Sequence, residues 1–329
     1  MRRRMLLGLE ERKPPSADHW IRVHRTAMAC RFEIALSGED AAHLPAARDA
    51  LEEADRVEDR LTVFRDTSEV SRLNARAGNG PVEVSDELFA LLERAGALHA
   101  ATGGAFDPTS TPLLQAWGFL RREGKRPEPD ALEAARAIVG MQLVELEETG
   151  RTARLPLAGM QVSFGSLGKG HALDRMADGL RRAGVPKALL SAGGSSVLAY
   201  GGDAVEGFAV DVRSKRASGT RLFGLRLRDA AQATSGAGEQ FFEVDGQRYG
   251  HVLDPRTGWP ATGVLSATVV TASAADADAL STAFLVAGPP LAESYCASHA
   301  NTLALLVLEA EPNKLQVFGS HDGASWEDS

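Results

Sequence analysis

Cysteine is scarce in this chain: Cys30 and Cys296 are the two in 329 residues. They lie far apart without metal-ligand spacing, which argues against a cysteine-held metal centre and points to reduced, partly buried thiols. Long apolar runs are missing as well. No stretch approaches the roughly 18 apolar residues of a membrane span, so no membrane insertion is expected. The start is charged through Arg2-Arg3-Arg4, but only the short stretch Met5-Leu6-Leu7-Gly8-Leu9 precedes Glu10. A secretory core needs roughly 7 to 15 apolar residues, so a cytoplasmic location is expected. A basic excess is also absent. The formal net charge is −8, with acidic and basic residues interspersed, which leaves no face suited to nucleic acid.

What is present supports a large core. Hydrophobic residues make up 44% of the chain, enough for one large unit or two interlocked ones. Residues 1–19 read as a disordered lead ending near Pro14-Pro15-Ser16, and residues 20–329 as a single domain. Ile21 to Leu36 carries strand-like runs. From Pro45 to Leu61, apolar residues recur at helical spacing through Ala46, Leu51, Ala54, Val57 and Leu61. Ser85 is placed to cap a helix over Asp86 to Ala101, which Gly103-Gly104 closes. Further helices are expected after Pro112 and over about Asp130 to Val139.

From Gln142 the texture changes to short β-rich runs: Leu143 to Leu146, Gln161 to Phe164, Ala188 to Ser191, Phe208 to Val212, Leu222 to Leu227, Phe241 to Val244 and Leu265 to Val270. Helices intervene at about Gly168 to Ala183 and Ala275 to Val286, and a strand pair is expected at Thr302 to Leu308 and Leu315 to Val317. Asp203 to Gly207 and Arg213 to Thr220 read as hairpin loops, and Gly124 to Pro129 as a surface crossing. The expected class is α+β: mixed sheets flanked by helices, with a helical N-terminal third and a β-rich C-terminal two-thirds interlocked in one unit.

Two segments make sense as halves of one site. Ser163-Phe164-Gly165-Ser166-Leu167-Gly168-Lys169-Gly170 is a small-residue loop that ends in one lysine and opens onto a helix, the arrangement of an anion site. It is neither G-x-x-x-x-G-K-[ST] nor G-x-G-x-x-G, and a tight strand-to-helix turn with an exposed lysine is its plainer reading. In Asp278-Ala279-Leu280-Ser281-Thr282, a carboxylate and a hydroxyl sit four residues apart on one helix face. Hard oxygen donors so paired suit Mg²⁺, although acidic residues near a helix start also serve as caps. Together the halves suggest a phosphate-bearing cofactor.

Two further segments carry candidate chemistry. His251 closes a strand before the turn Asp254-Pro255-Arg256-Thr257-Gly258, where it is either a general base or a hydrogen-bonded structural residue. Gly104-Ala105-Phe106-Asp107-Pro108 places an aromatic ring beside a carboxylate, either to hold a ring and a ribose or as an ordinary helix-breaking loop.

In order along the chain, these segments resemble the ApbE family of FAD:protein FMN transferases. The resemblance rests on Arg65-Asp66-Thr67-Ser68-Glu69-Val70-Ser71-Arg72-Leu73-Asn74, Gly104 to Pro108, Gly168-Lys169-Gly170 with Asp174, Gly193-Gly194, Ala233-Thr234-Ser235-Gly236, His251 to Gly258, and Asp278 to Thr282. It implies an enzyme that binds FAD with Mg²⁺ and transfers FMN to a Thr or Ser hydroxyl of an acceptor protein, releasing AMP. The implied metal ligands are the Asp278 and Thr282 side chains and the Ser166 carbonyl. Met28, Phe64, Ala105, Phe106, Asp107, Ser163, Lys169 and Leu253 would line the FAD site, with His251 and Asp278 as catalytic residues. Ser163 stands where the family usually has aspartate, and Thr62, Phe64, Ser166, Ser195 and Gly238 also depart from its pattern. A Mg²⁺-dependent FAD pyrophosphatase and a non-catalytic FAD-binding protein are the competing readings.

Overall fold

The computed structural model describes residues 19–121, 123–201, 207–213, 221–238 and 240–328. The expected lead therefore lies almost wholly outside the described residues, as do most of the two expected hairpin loops at 203–207 and 213–220.

An eight-stranded sheet organises the chain. Its strands run in the order Trp20–Ala27, Cys30–Ser37, Ala188–Ala192, Ser196–Tyr200, Ala230–Gly236, Val264–Thr271, Thr302–Leu308 and Leu315–Ser320. Every neighbouring pair is antiparallel. The α+β class is present, and the interlocking has a simple origin. After its second strand the chain leaves the sheet for a largely helical excursion and rejoins it at Ala188, beside the strand it left.

Alternate residues of the sheet face two different cores, as the period of a strand requires. Ile34, Leu190, Leu198, Val269 and Leu306 pack under the helices Leu44–Leu61, Asp86–Ala101, Gly168–Arg182 and Ala274–Ala287. Val197, Ala199, Val270, Leu303 and Leu305 face the other way, against Phe208, Phe223, Leu225 and Leu227 of a three-stranded sheet (Phe208–Arg213, Arg221–Leu227, Ala324–Asp328). Cover on both faces explains why, after Thr302, the strand Thr302–Leu308 reads as an unbroken apolar run. A third cluster, centred on Trp117 and Tyr249, joins the helices Thr111–Ala116 and Pro129–Ala137 to the hairpin Phe241–Val244/Gln247–Gly250.

Local signals place the helices well. The first long helix starts at Leu44 and ends at Leu61, with Thr62 as its extended C-cap. Ser85 caps its helix by accepting from the Leu88 amide. The expected strand at Gln161 to Phe164 is different. It pairs with no strand among the described residues, because the Asn74 side chain both donates to the Val162 carbonyl at 2.9 Å and accepts from its amide at 2.8 Å. One amide side chain thus supplies the pairing a neighbouring strand would give, and the segment is free to lead into the glycine loop.

The thiols are placed as expected. Cys296 is buried and Cys30 half-buried.

Candidate functional site

The two halves of the site are held together by backbone contact. Gly170, in the first turn of the Gly168–Arg182 helix, lies against the start of the Ala274–Ala287 helix so closely that a Cβ would fall 2.0 Å from the Ala274 carbonyl oxygen. Only glycine allows that approach. Across the same contact the Gly170 amide donates to Asp278 Oδ2 at 2.8 Å.

Asp174, one turn further along, caps the second helix. Its carboxylate accepts from Ser273 Oγ at 2.7 Å and from the Ala274 and Ala275 amides at 2.8 and 3.0 Å. Burial raises the Asp174 pKa, and those three bonds oppose the rise. Asp276 makes a bidentate pair with Arg94 of the Asp86–Ala101 helix at 2.6 and 2.5 Å. The helix that carries Asp278 and Thr282 is therefore fixed from two sides.

Asp278 is 5% exposed. Its Oδ1 accepts from Ser196 Oγ at 2.7 Å, and Lys169 Nζ lies 3.5 Å from Oδ2. Thr282 Oγ1 donates to the Asp278 carbonyl at 3.2 Å and meets Ser235 Oγ at 3.2 Å, while Ser235 also reaches Ser281 Oγ at 2.8 Å. An ionised carboxylate has about four lone-pair sites and a hydroxyl two, so both keep acceptor capacity toward the cavity. Among the described residues no three His, Cys, Asp or Glu side chains converge. A donor set of one carboxylate, one hydroxyl and a backbone carbonyl suits a hard cation that keeps waters and phosphate oxygens in its shell.

A cavity of about 690 Å³ opens beside this pair. All twelve residues singled out from the sequence line it: Met28, Phe64, Ala105, Phe106, Asp107, Ser163, Ser166, Lys169, His251, Leu253, Asp278 and Thr282. Ala105, Phe106 and Leu253 form buried wall, whereas the Phe64 ring is 81% exposed at the mouth. His251 extends the hairpin register, with its amide on the Gln240 carbonyl at 3.0 Å and Nδ1 3.2 Å from the same oxygen. That contact suits an Nδ1–H tautomer, with Nε2 as the basic atom.

The Asp107 carboxylate is engaged by the protein. Oδ1 accepts from the Thr109 amide and hydroxyl at 2.8 and 2.6 Å, Oδ2 accepts from the Met141 amide at 3.1 Å, and His99 Nδ1 lies 3.3 Å away. The hydrogen bond to Asp107 raises the His99 pKa, against the effect of burial. Ser163 is half-buried, and its amide donates to the Pro108 carbonyl at 2.8 Å. This bond ties the glycine loop to the Ala105 to Pro108 segment.

Three functional neighbours escaped the sequence reading. Ser196 and Ser235 touch Asp278 and Thr282, and each follows or sits within a small-residue stretch, Gly193-Gly194 or Thr234 to Gly236, that was noted without a role for the hydroxyl. Glu58, which also lines the cavity, has no local signal at all, being one acid among several on a charged helix face.

Comparisons with known proteins identify the family. A model described as the ApbE family matches residues 28–307. The FAD:protein FMN transferase of Treponema pallidum is 36% identical over 244 residues, covering 69% of this chain and 67% of that protein. The FAD:protein FMN transferase of Vibrio cholerae is 32% identical over 264 residues, covering 77% of this chain and 76% of that one. The crystal structure of the ApbE protein from Thermotoga maritima superposes with a TM-score of 0.82 at 29% identity, covering 92% of this chain and 97% of that chain. With the family model spanning most of the sequence and the fold shared nearly end to end, this chain belongs to the ApbE family.

Proposed function

We propose that the chain is an FAD:protein FMN transferase that uses Mg²⁺. It binds FAD in the 690 Å³ cavity, transfers the FMN half to a Thr or Ser hydroxyl of an acceptor protein and releases AMP. The observation that carries the proposal is the presence, in the lining of one cavity, of Lys169, the Asp278–Thr282 pair and His251. Family membership supports the same assignment.

Each residue then has a distinct task. The Asp278 carboxylate, the Thr282 hydroxyl and the Ser166 carbonyl would hold Mg²⁺. Bound there, the cation supplies charge stabilisation at the pyrophosphate oxygens. Lys169 adds a point charge at the start of a helix, where the dipole already favours an anion. Met28, Phe64, Ala105, Phe106, Ser163 and Leu253 provide the contact surface for FAD, and Asp107 fixes the wall that Ala105 and Phe106 present. His251 accepts the proton of the acceptor hydroxyl as its oxygen bonds to the FMN phosphorus. The bridging P–O bond breaks, and AMP leaves with the bonding electron pair. No covalent enzyme intermediate is required. Residues 20–329 act as one domain in this proposal, and a cytoplasmic location remains part of it.

The direct test combines the purified chain with FAD, Mg²⁺ and a candidate acceptor, then follows AMP by chromatography and protein-bound flavin fluorescence in denaturing gels. The proposal expects both signals, in equal amounts and abolished by a chelator. AMP with free FMN and no bound flavin would instead establish hydrolysis, and the absence of both would reject catalysis on FAD.

A further inference from the structure

Glu58, near the end of the Leu44–Leu61 helix, touches two walls of the cavity mouth at once. Its Oε2 accepts from the Met28 amide at 2.7 Å, and its Oε1 accepts from Arg65 Nη2 at 3.0 Å. On the first wall, Met28 and Ala29 form the two-residue turn between the paired residues Ala27 and Cys30, with φ of 50° and 56°. Two-residue turns with both central residues left-handed are normally built from Asn-Gly, Asp-Gly or Gly-Gly, because a Cβ is crowded in that conformation. Met-Ala contains no such residue. The turn needs an external hold, and the Glu58 carboxylate on the Met28 amide provides one.

On the second wall, Arg65 directly follows Phe64, the exposed ring at the mouth. Its guanidinium also pairs with Asp59, so two neighbouring carboxylates of one helix anchor the loop. Backbone strain of this kind gathers at ligand sites, where the surroundings over-determine an otherwise unfavourable conformation.

We propose that Glu58 is a positioning residue for FAD: one carboxylate locks the strained Met28–Ala29 turn and the Phe64 loop in register, and so sets the shape of the cavity mouth. The inference rests on the reading of this cavity as an FAD site. It predicts a defect in FAD binding rather than in bond breaking, since the Glu58 carboxylate is engaged with Met28 and Arg65 at the rim rather than with the Asp278–Thr282 pair.

The test uses the full chain, Glu58→Ala, Glu58→Gln and the double variant Glu58→Ala with Ala29→Gly. FAD affinity is read by flavin fluorescence, AMP release by steady-state kinetics and folding by thermal unfolding. Glu58→Ala is expected to raise Kd and KM for FAD about tenfold, the scale of one lost charge-assisted hydrogen bond, with kcat within about twofold. Glu58→Gln keeps an acceptor for the Met28 amide and is expected to lose about threefold or less. Adding Ala29→Gly should restore most of the affinity lost in Glu58→Ala, because glycine takes the left-handed conformation unaided. Unchanged FAD affinity in Glu58→Ala overturns the inference alone. So does a loss that Ala29→Gly fails to restore, or a fall in kcat as large as the rise in KM. Failure of the unaltered chain to bind FAD overturns the functional reading, and with it this inference.

Discussion

At the scale of single residues, Asp278 is the side chain on which most depends. It receives the Gly170 amide and the Ser196 hydroxyl, lies beside Lys169, and is a ligand of Mg²⁺ in the proposed function. Removing the carboxylate leaves a buried amide and hydroxyl without their acceptor, at a cost of about 1–3 kcal/mol each. Asp278→Ala is therefore expected to lower stability by about 2–6 kcal/mol in denaturant unfolding and to reduce FMN transfer at least about 100-fold. Asp278→Asn keeps one acceptor oxygen. It should recover much of the stability and little of the activity, separating structural from chemical use of the charge.

At the scale of elements, the site is a joint between two helix starts. Gly170→Ala would drive a methyl group into the Ala274 carbonyl, and backbone is the least yielding neighbour a Cβ can meet. Separation of the helices should cost about 1–3 kcal/mol and break the Gly170–Asp278 bond, so both the unfolding midpoint and transfer activity are expected to fall. Gly179→Ala is a fair control, because its Cβ would meet only the Ala50 methyl at 4.0 Å.

Much of this joint was legible in the sequence. The four-residue spacing of Asp278 and Thr282, the small-residue loop before Lys169 and the Ser85 cap are local patterns, and the elements they imply are present. Other parts depend on neighbours and were not legible. Ala230–Gly236 has the sequence AAQATSG, without the β-branched enrichment of a strand. It is one because Ser196–Tyr200 and Val264–Thr271 pair with its two edges. The Gln161 to Phe164 run looks like a strand and is not, because Asn74, 88 residues away from Val162, occupies its hydrogen bonds. The Met28–Ala29 turn contradicts ordinary turn chemistry, and only the folded position of Glu58 accounts for it.

At the scale of the whole molecule, two histidines contribute in opposite senses to how stability responds to pH. Burial pushes the His171 pKa down to about 4. Glu87 lies 2.9 Å from Nε2 but is shared with Arg60 and Arg175, so burial prevails. Between pH 6.5, the ordinary value, and about 4, the unfolded chain binds the extra proton. Stability from this group is complete above pH 6.5 and lost toward pH 4, by up to about 3 kcal/mol. His99 acts in the opposite sense. Its raised pKa contributes stability that is complete below pH 6.5 and declines as pH rises through the folded-state value. Unfolding across pH 4 to 9 should therefore show a loss on the acid side that His171→Gln reduces, and a smaller alkaline loss that His99→Gln removes.

The helices, the large sheet and the hairpin that ends in His251 converge on one cavity, and the central claim is that this cavity moves FMN onto a protein hydroxyl. Peptide-mapping mass spectrometry of candidate acceptor proteins tests it most directly, after incubation with FAD and Mg²⁺ in the presence or absence of this chain. The prediction is an FMN phosphoester on a single Thr or Ser of an acceptor, formed only with the chain, matched by AMP and lost with Asp278→Ala. FAD consumed to free FMN and AMP with every acceptor peptide unmodified would contradict it.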